Sequence, residues 1–369
     1  MNTLFDYLVW RGDLTLRQSP FCAVDGLILN CLSYFPFDGV VGEEAVSLAA
    51  AAKQALALPA ELRPVRAPED LKLLEALRDS PRFQGMKLFA YRNRRNLTEE
   101  KQFAALTVDT GDGTLYLAFR GTDDTLVGWK EDFNMSYLET VPAQREAAAY
   151  LMEIAGKSGK PLRLGGHSKG GNLAVYAAAR ARPEVRGRIL EIFDNDGPGF
   201  TERFLKSAGY RDIRGRVQVF LPQSSVVGML FSHAEDYTVV HSGQVGVMQH
   251  DPYSWEVRGA DFVTLERVTA GSRFIDRTIR DWISRMSVSE RERLFDALYS
   301  VLGATGAETW SELSASWFQN ARAMLQKCVE LDAESRRMIG RTITQLLRAS
   351  TGSLRELLPG RGTKERHLP

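Results

Sequence analysis

The chain has little that would commit it to a special environment. Of its 369 residues only three are cysteine, Cys22, Cys31 and Cys328, an odd number without metal-ligand spacing. That argues against a disulfide framework and for a reducing compartment. Neither sign of charge is in excess. The 47 basic residues stand against 46 acidic ones, a formal net charge of +1, so bulk electrostatics recruit neither nucleic acid nor an anionic membrane. No apolar run approaches the length needed to cross a bilayer, and Met1-Asn2-Thr3-Leu4-Phe5-Asp6-Tyr7 puts no basic residue ahead of an apolar stretch. Repeats and low-complexity tracts are missing too. What remains is an ordinary composition, 44% hydrophobic and 25% charged, for which a soluble cytoplasmic protein with a sizeable core is the expectation. No cofactor or metal is expected.

Three regions follow from the pattern of residues. Residues 1–85 read as helices and loops, with Ala49 to Leu56 favouring helix and Pro68-Glu69-Asp70 opening another helical run. From Lys87 the period becomes two. Lys87 to Tyr91, Phe103 to Val108 and Leu115 to Phe119 read as strands, the last two forming a hairpin through Gly111-Asp112-Gly113. Strand and helix signals then alternate: helix Ala143 to Ala155, strand Leu162 to Gly165, a helix from about Gly171, strand Ile189 to Phe193, a short helix near Thr201, strand Val217 to Leu221. Alternation of this kind argues for a mostly parallel sheet with helices on its faces, an α/β core over residues 86–261. Tyr237 to Val240 and Gln244 to Met248 are expected as a late strand pair. Residues 262–369 read as a helical extension, with capping-box spacing at Ser287 to Glu290 and amphipathic stretches from Trp310 to Leu331 and Ser335 to Leu347.

Gly166-His167-Ser168-Lys169-Gly170 carries the chemistry. G-x-S-x-G alone is weak, but here it follows an apolar strand and leads into an alanine-rich helix. That is the setting in which a sharp strand-to-helix turn presents a nucleophilic serine at the end of a sheet strand. Gly166 and Gly170 have a steric task, since strand and helix can pack closely only where no Cβ intervenes. The helix N-terminus favours the negative charge that develops during acyl transfer.

A second segment, Phe119-Arg120-Gly121-Thr122 with Trp129 and Asp132, follows the strand that ends at Phe119. Together with the serine motif it resembles the class 3 lipase family of α/β-hydrolases. The closer resemblance is to the Mbeg1-like family, carried also by Phe5 to Leu8, His167 to Asn172, Asp194 to Phe200 and Gln249 to Trp255. The resemblance spans roughly residues 1–260, implies the α/β-hydrolase fold and brings no substrate with it. In the lipases the position matching Thr122 supplies an oxyanion donor. Two preorganised donors would lower an acyl-transfer barrier by about 3 kcal/mol or more. The Thr122 N–H, with its hydroxyl as an additional candidate, and the Lys169 N–H are expected in that role. Arg120 and Asp132 are expected as a supporting ion pair.

The base is sought among five histidines. His167 lies inside the motif and His367 in a polar tail, while His233 and His241 are rivals. His250, in Gln249-His250-Asp251-Pro252-Tyr253-Ser254-Trp255, is the preferred base because it follows an expected strand and opens a loop. The acid has two candidates, Asp194 and Asp196. In class 3 lipases the acid comes one strand later, near Pro222-Gln223-Ser224-Ser225-Val226, where this chain has no carboxylate. Asp194-Asn195-Asp196-Gly197-Pro198-Gly199-Phe200 is similar to the Asp-x-x-Gly-Pro-x-Phe pattern of pancreatic-type lipases, and on that register Asp194 is the expected acid. The function expected is a serine hydrolase of carboxylic esters, lipid esters included. An acyltransferase or thioesterase using the same triad and a non-catalytic scaffold are the alternatives. The expected partner is a small ester or lipid, and the oligomeric state stays open.

Overall fold

A computed structural model of the chain describes residues 1–62, 65–123, 125–135, 138–225, 227–229, 237–269, 286–305, 326–328, 330–337 and 340–341. The N-terminal region is helical because its starts are well capped. Helix α1 (Leu4–Arg11) begins at Thr3, whose hydroxyl accepts the Phe5 N–H while Asp6 accepts the Thr3 N–H at 2.7 Å. Helix α2 (Ala23–Leu32) begins at Cys22, whose N–H is taken by Asp25 at 2.9 Å. Asp25 also receives both Nε and a terminal nitrogen of Arg82, at 2.7 and 2.5 Å, and neither side chain touches solvent. The other Arg82 donors go to the carbonyls of Leu14, Ser19 and Pro20, so one guanidinium ties three segments together.

After β1 (Val46–Ser47), α3 (Leu48–Ala57) and α4 (Pro68–Asp79) come β2 (Lys87–Asn96), β3 (Lys101–Asp109) and β4 (Leu115–Phe119). Helices α5 (Leu126–Asn134) and α6 (Pro142–Lys157) lead to β5 (Leu162–His167) and α7 (Lys169–Arg180). Then follow α8 (Pro183–Arg186), β6 (Ile189–Asn195), α9 (Glu202–Leu205), α10 (Ala208–Ile213), β7 (Val217–Pro222) and β8 (Thr238–Val240). The short strands β9 (Val257–Arg258), β10 (Asp261–Phe262) and β11 (Thr264–Leu265) precede α12 (Val288–Gly303).

The sheet order is β1-β2-β3-β4-β5-β6-β7-β8-β11. Strands β4 to β8 pair in parallel, and β1 to β4 and β8 to β11 are antiparallel. The parallel steps from β4 to β5, β5 to β6 and β6 to β7 are crossovers that lay helices on the sheet. One face is packed by the N-terminal helices and the Tyr253–Phe262 segment, where Leu27, Tyr116, Phe193, Phe220 and Trp255 share a core. The other face is packed by α6, α7 and α10, where Leu151, Leu164, Ala174, Ile192 and Ile213 share a second core. This is the α/β-hydrolase arrangement, and it sets the C-terminal ends of β4, β5 and β6 side by side.

Two expectations need revision. Residues Gln244 to Met248 are not a strand. Gly246 adopts φ +56°, a 3₁₀ turn runs from Gly246 to His250, and the apolar Val245 and Met248 are exposed. The antiparallel partner of β8 is β11. The expected helices over Trp310 to Leu331 and Ser335 to Leu347 lie largely outside the described residues. Helix α12 does start on the expected capping box at Ser287, and it meets α5 through Lys130, whose ammonium lies 2.8 Å from Asp296 and 4.8 Å from the Tyr299 ring centroid. No described helix is long and apolar enough to cross a membrane.

Candidate active site

Ser168 stands between the end of β5 and the start of α7 with φ +57° and ψ −134°. A non-glycine residue there is strained, and the surroundings hold it: its N–H bonds the Asn195 carbonyl at 2.9 Å, and its carbonyl takes the Gly171 N–H at 2.9 Å. The flanking glycines do the expected steric work. A methyl on Gly166 would lie 2.1 Å from the Gly170 carbonyl carbon, and one on Gly170 would lie 2.1 Å from the Phe119 oxygen. Strand, helix and the end of β4 therefore close on one another through backbone alone.

The loop after β4 runs directly over the serine. A methyl on Gly121 would come within 3.1 Å of Ser168 Cβ and 2.5 Å of the His167 oxygen. Next to it, the backbone N–H of Thr122 has no acceptor among the described residues, and neither does that of Lys169, at the open N-terminus of α7. The Thr122 hydroxyl is occupied: Oγ1 donates to Asp132 Oδ2 at 2.5 Å. The expected Arg120–Asp132 pair does not form. Arg120 reaches Asp123 at 3.2 Å and Asn93 at 3.0 Å, because α5 turns Asp132 back onto the threonine instead.

His250, at the end of the 3₁₀ turn, points Nδ1 at Asp196 Oδ2 across 2.6 Å. Its loop is fixed on both sides: the Gln249 carbonyl accepts the Trp255 indole N–H at 2.9 Å, and the Gln249 side chain accepts the Ser224 N–H at 2.7 Å. Asp196 is fully buried and sits one residue past β6 with φ +55°. Its second oxygen accepts the Ser225 hydroxyl at 2.5 Å and the Gly228 N–H at 3.1 Å.

Asp194, the expected acid, is not brought to His250. Still inside β6, its carboxylate accepts the Gly197 N–H at 2.9 Å and presses on α7, where a methyl at Gly171 would be 2.0 Å from Oδ1. The strand keeps the Asp194 side chain on the α7 face, whereas the positive φ of Asp196 turns its carboxylate to the sheet edge. His241 is held by Glu256 at 2.5 Å, and His233 and His367 lie outside the described residues. Among the described residues no hydrogen bond joins Ser168 Oγ to His250. Such contacts often tighten only around a bound substrate.

Residues 77–300 match the model of the Mbeg1-like family. The chain belongs to that family. No curated protein matches it. Among solved structures it is similar to a mutant form of MDLA from Penicillium cyclopium, at 16% identity and TM-score 0.39 over 65% of this chain and 83% of that one. It is also similar to lipase II from Rhizopus niveus, at 16% identity and TM-score 0.35 over 60% of this chain and 82% of that one. A lipase from Rhizopus microsporus var. chinensis gives 14% identity and TM-score 0.35 over 72% and 85%. These overlaps are slight, and the fold assignment rests on the chain's own sheet order and elbow.

The electrostatics beneath the site of this Mbeg1-like chain centre on Lys169. Its side chain is buried and turned away from the serine, with Nζ 3.0 Å from Glu131, 2.7 Å from the Gln102 side-chain oxygen and 3.0 Å from the Gln102 carbonyl. Glu131, also buried, accepts the N–H groups of Gln102 at 3.0 Å and Ala143 at 2.8 Å. A buried pair satisfied on every side locks α5, β3 and α6 to the elbow. The next residue along α5, Asp132, keeps Oδ1 buried with no hydrogen-bond partner among the described residues, 3.9 Å from Lys169 Nζ. Burial pushes its carboxyl up to about 6, against the pull of the Lys169 ammonium and the Thr122 hydroxyl.

Proposed function

We propose that this Mbeg1-like protein is a serine hydrolase that cleaves carboxylic esters, lipid esters included, through an acyl-enzyme on Ser168. In this reading His250 Nε2 takes the Ser168 proton as Oγ attacks the carbonyl carbon. Asp196 accepts the Nδ1–H, fixes the tautomer and stabilises the imidazolium. The N–H groups of Thr122 and Lys169 receive the oxyanion. Collapse of the tetrahedral intermediate breaks the ester C–O bond, and the imidazolium proton leaves with the alcohol. Water, deprotonated by His250, then releases the acid.

The observation that carries this reading is the histidine–carboxylate pair at 2.6 Å beside a serine held at φ +57° in a strand–helix elbow. Strain of that kind persists where the surroundings over-determine it, and it gathers at sites of chemistry. The test is labelling with a fluorophosphonate. The purified protein should take up one label, and Ser168→Ala should take up none while its circular dichroism is unchanged. A label that persists in Ser168→Ala overturns the assignment.

A further inference from the structure

The His167 side chain is not used by the mechanism above, yet it is buried and fully bonded between the N-terminal region and the loop of His250. Its Nε2 lies 2.7 Å from the His250 carbonyl oxygen, its Nδ1 lies 3.0 Å from the Tyr34 hydroxyl, and its ring centroid lies 4.5 Å from that of His250. These contacts fix the tautomer. A backbone carbonyl only accepts, so Nε2 carries the hydrogen. Nδ1 of a neutral ring is then an acceptor, and the Tyr34 hydroxyl must donate to it. The ring is neutral because burial, with His250 and Arg66 nearby, holds its pKa far below the ordinary histidine value. Behind Tyr34, the Arg66 guanidinium covers the phenol face at 4.1 Å and meets Asp70 at 3.5 Å.

We infer that His167 is a positioning residue for His250: its Nε2–H grips the His250 backbone while Asp196 grips the ring, so the imidazole is held at both ends. A side-chain bond to Asp196 alone would leave the ring free to tilt about Cα–Cβ with its loop. Gln249 anchors the loop one residue earlier, the bond from His167 adds a hold at the His250 backbone itself, and the ring contact limits the tilt. The two grips come from the ends of adjacent strands, since His167 and Asn195 are register partners in β5 and β6. The His250 carbonyl selects the tautomer, and Tyr34 completes the grip by donating to the Nδ1 lone pair which that tautomer leaves.

The inference rests on the triad reading, so the readout is chosen to separate the two: the rate constant for fluorophosphonate labelling, which needs no knowledge of the substrate. His167→Phe keeps a ring and loses the donor, and its labelling should slow by about a hundredfold, as a base displaced by about 1 Å would. His167→Gln, whose amide nitrogen can reach the same carbonyl, should recover most of the rate. Tyr34→Phe leaves the elbow sequence intact and should slow labelling severalfold. In an Asp196→Asn background, where His250 is already disabled, adding His167→Phe should cost little more. Wild-type protein that takes no label refutes the hydrolase reading itself. A labelled wild type with His167→Phe equally fast, with Phe and Gln variants equally slow, or with costs that multiply fully in the Asp196→Asn background, overturns the role of His167. Should His167→Phe fail to fold, Tyr34→Phe decides: an unchanged rate overturns the inference.

Discussion

Replacing Asp196 by asparagine exchanges one oxygen for an NH2 group, and the structure dictates which one. Oδ1 accepts from Ser225 Oγ at 2.5 Å and from the Gly228 N–H at 3.1 Å, so the amide oxygen must stay there. The NH2 group then occupies the place of Oδ2, 2.6 Å from His250 Nδ1. A donor facing Nδ1 forces the imidazole proton to Nε2, the atom that receives the Ser168 proton in the proposed mechanism. The backbone tolerates the change, because asparagine accepts the φ of +55° at this position as readily as aspartate. The expected result is a folded protein with kcat lowered about 10⁴-fold, or about 5 kcal/mol of lost transition-state stabilisation. Asp194→Asn is the control. Its carbonyl oxygen can still accept the Gly197 N–H, so the loss should stay below about tenfold. Both variants would be assayed on one ester, with circular dichroism to confirm the fold. A crippled Asp194→Asn beside a mild Asp196→Asn would refute the reasoning and return the acid to β6.

Other consequences follow from the same geometry. Because the Thr122 hydroxyl donates to Asp132, Thr122→Ser should keep its kcat and Thr122→Val should lose about tenfold through a displaced loop. A loss of about a hundredfold or more with the loop intact would make the hydroxyl itself an oxyanion donor. Asp132, with its carboxyl raised to about 6, ionises in the unfolded chain first, so its ionisation costs folding stability as pH rises from about 4 through about 6. Asp132→Asn should therefore raise the melting temperature at pH 8 and leave it unchanged at pH 4, as scanning calorimetry would record; a gain confined to pH 4 contradicts the sign. Arg82→Ala leaves the Asp25 carboxylate buried without its cation and should cost about 3–5 kcal/mol in urea unfolding. A cost below about 1 kcal/mol would mean that water reaches the vacated space.

The elbow was legible because its demands are local. A glycine is needed wherever backbone closes on backbone, and Gly166 and Gly170 stand at such contacts. The alternation that gave the parallel sheet is local in the same sense. Elimination among five histidines singles out His250, which the structure pairs with Asp196. What sequence spacing could not supply were the partners across space. Ser225 meets Asp196 from 29 residues away and Tyr34 meets His167 from 133 away, and neither pair leaves a pattern along the chain. The expected Arg120–Asp132 pair fails on the same ground. Only the turn of α5 decides that Asp132 faces Thr122.

That Asp196 and not the expected Asp194 meets His250 has a more instructive reason. Asp194 and Asp196 share a face as long as the chain remains a strand, so period-two reading treats them as equivalent. β6 ends at Asn195, and Asp196 beyond it turns to φ +55°, almost the value of Ser168 at +57°. Ser168 and Asp196 are thus presented by the same device on neighbouring strands, a residue of positive φ one step past the strand end. In both cases close-packed glycine follows. A methyl on Gly197 would lie 2.8 Å from the Ser168 oxygen and 2.9 Å from the Asn172 nitrogen, much as one on Gly170 would strike Phe119. Aspartate is among the few residues that tolerate that backbone, and Asp-Gly marks a turn. The physical signal for the carboxylate that meets His250 is therefore Asp196-Gly197 at the strand end. A motif register taken from the pancreatic-type lipases points two residues before the carboxylate that meets His250, because it counts positions and carries no information about where the strand stops.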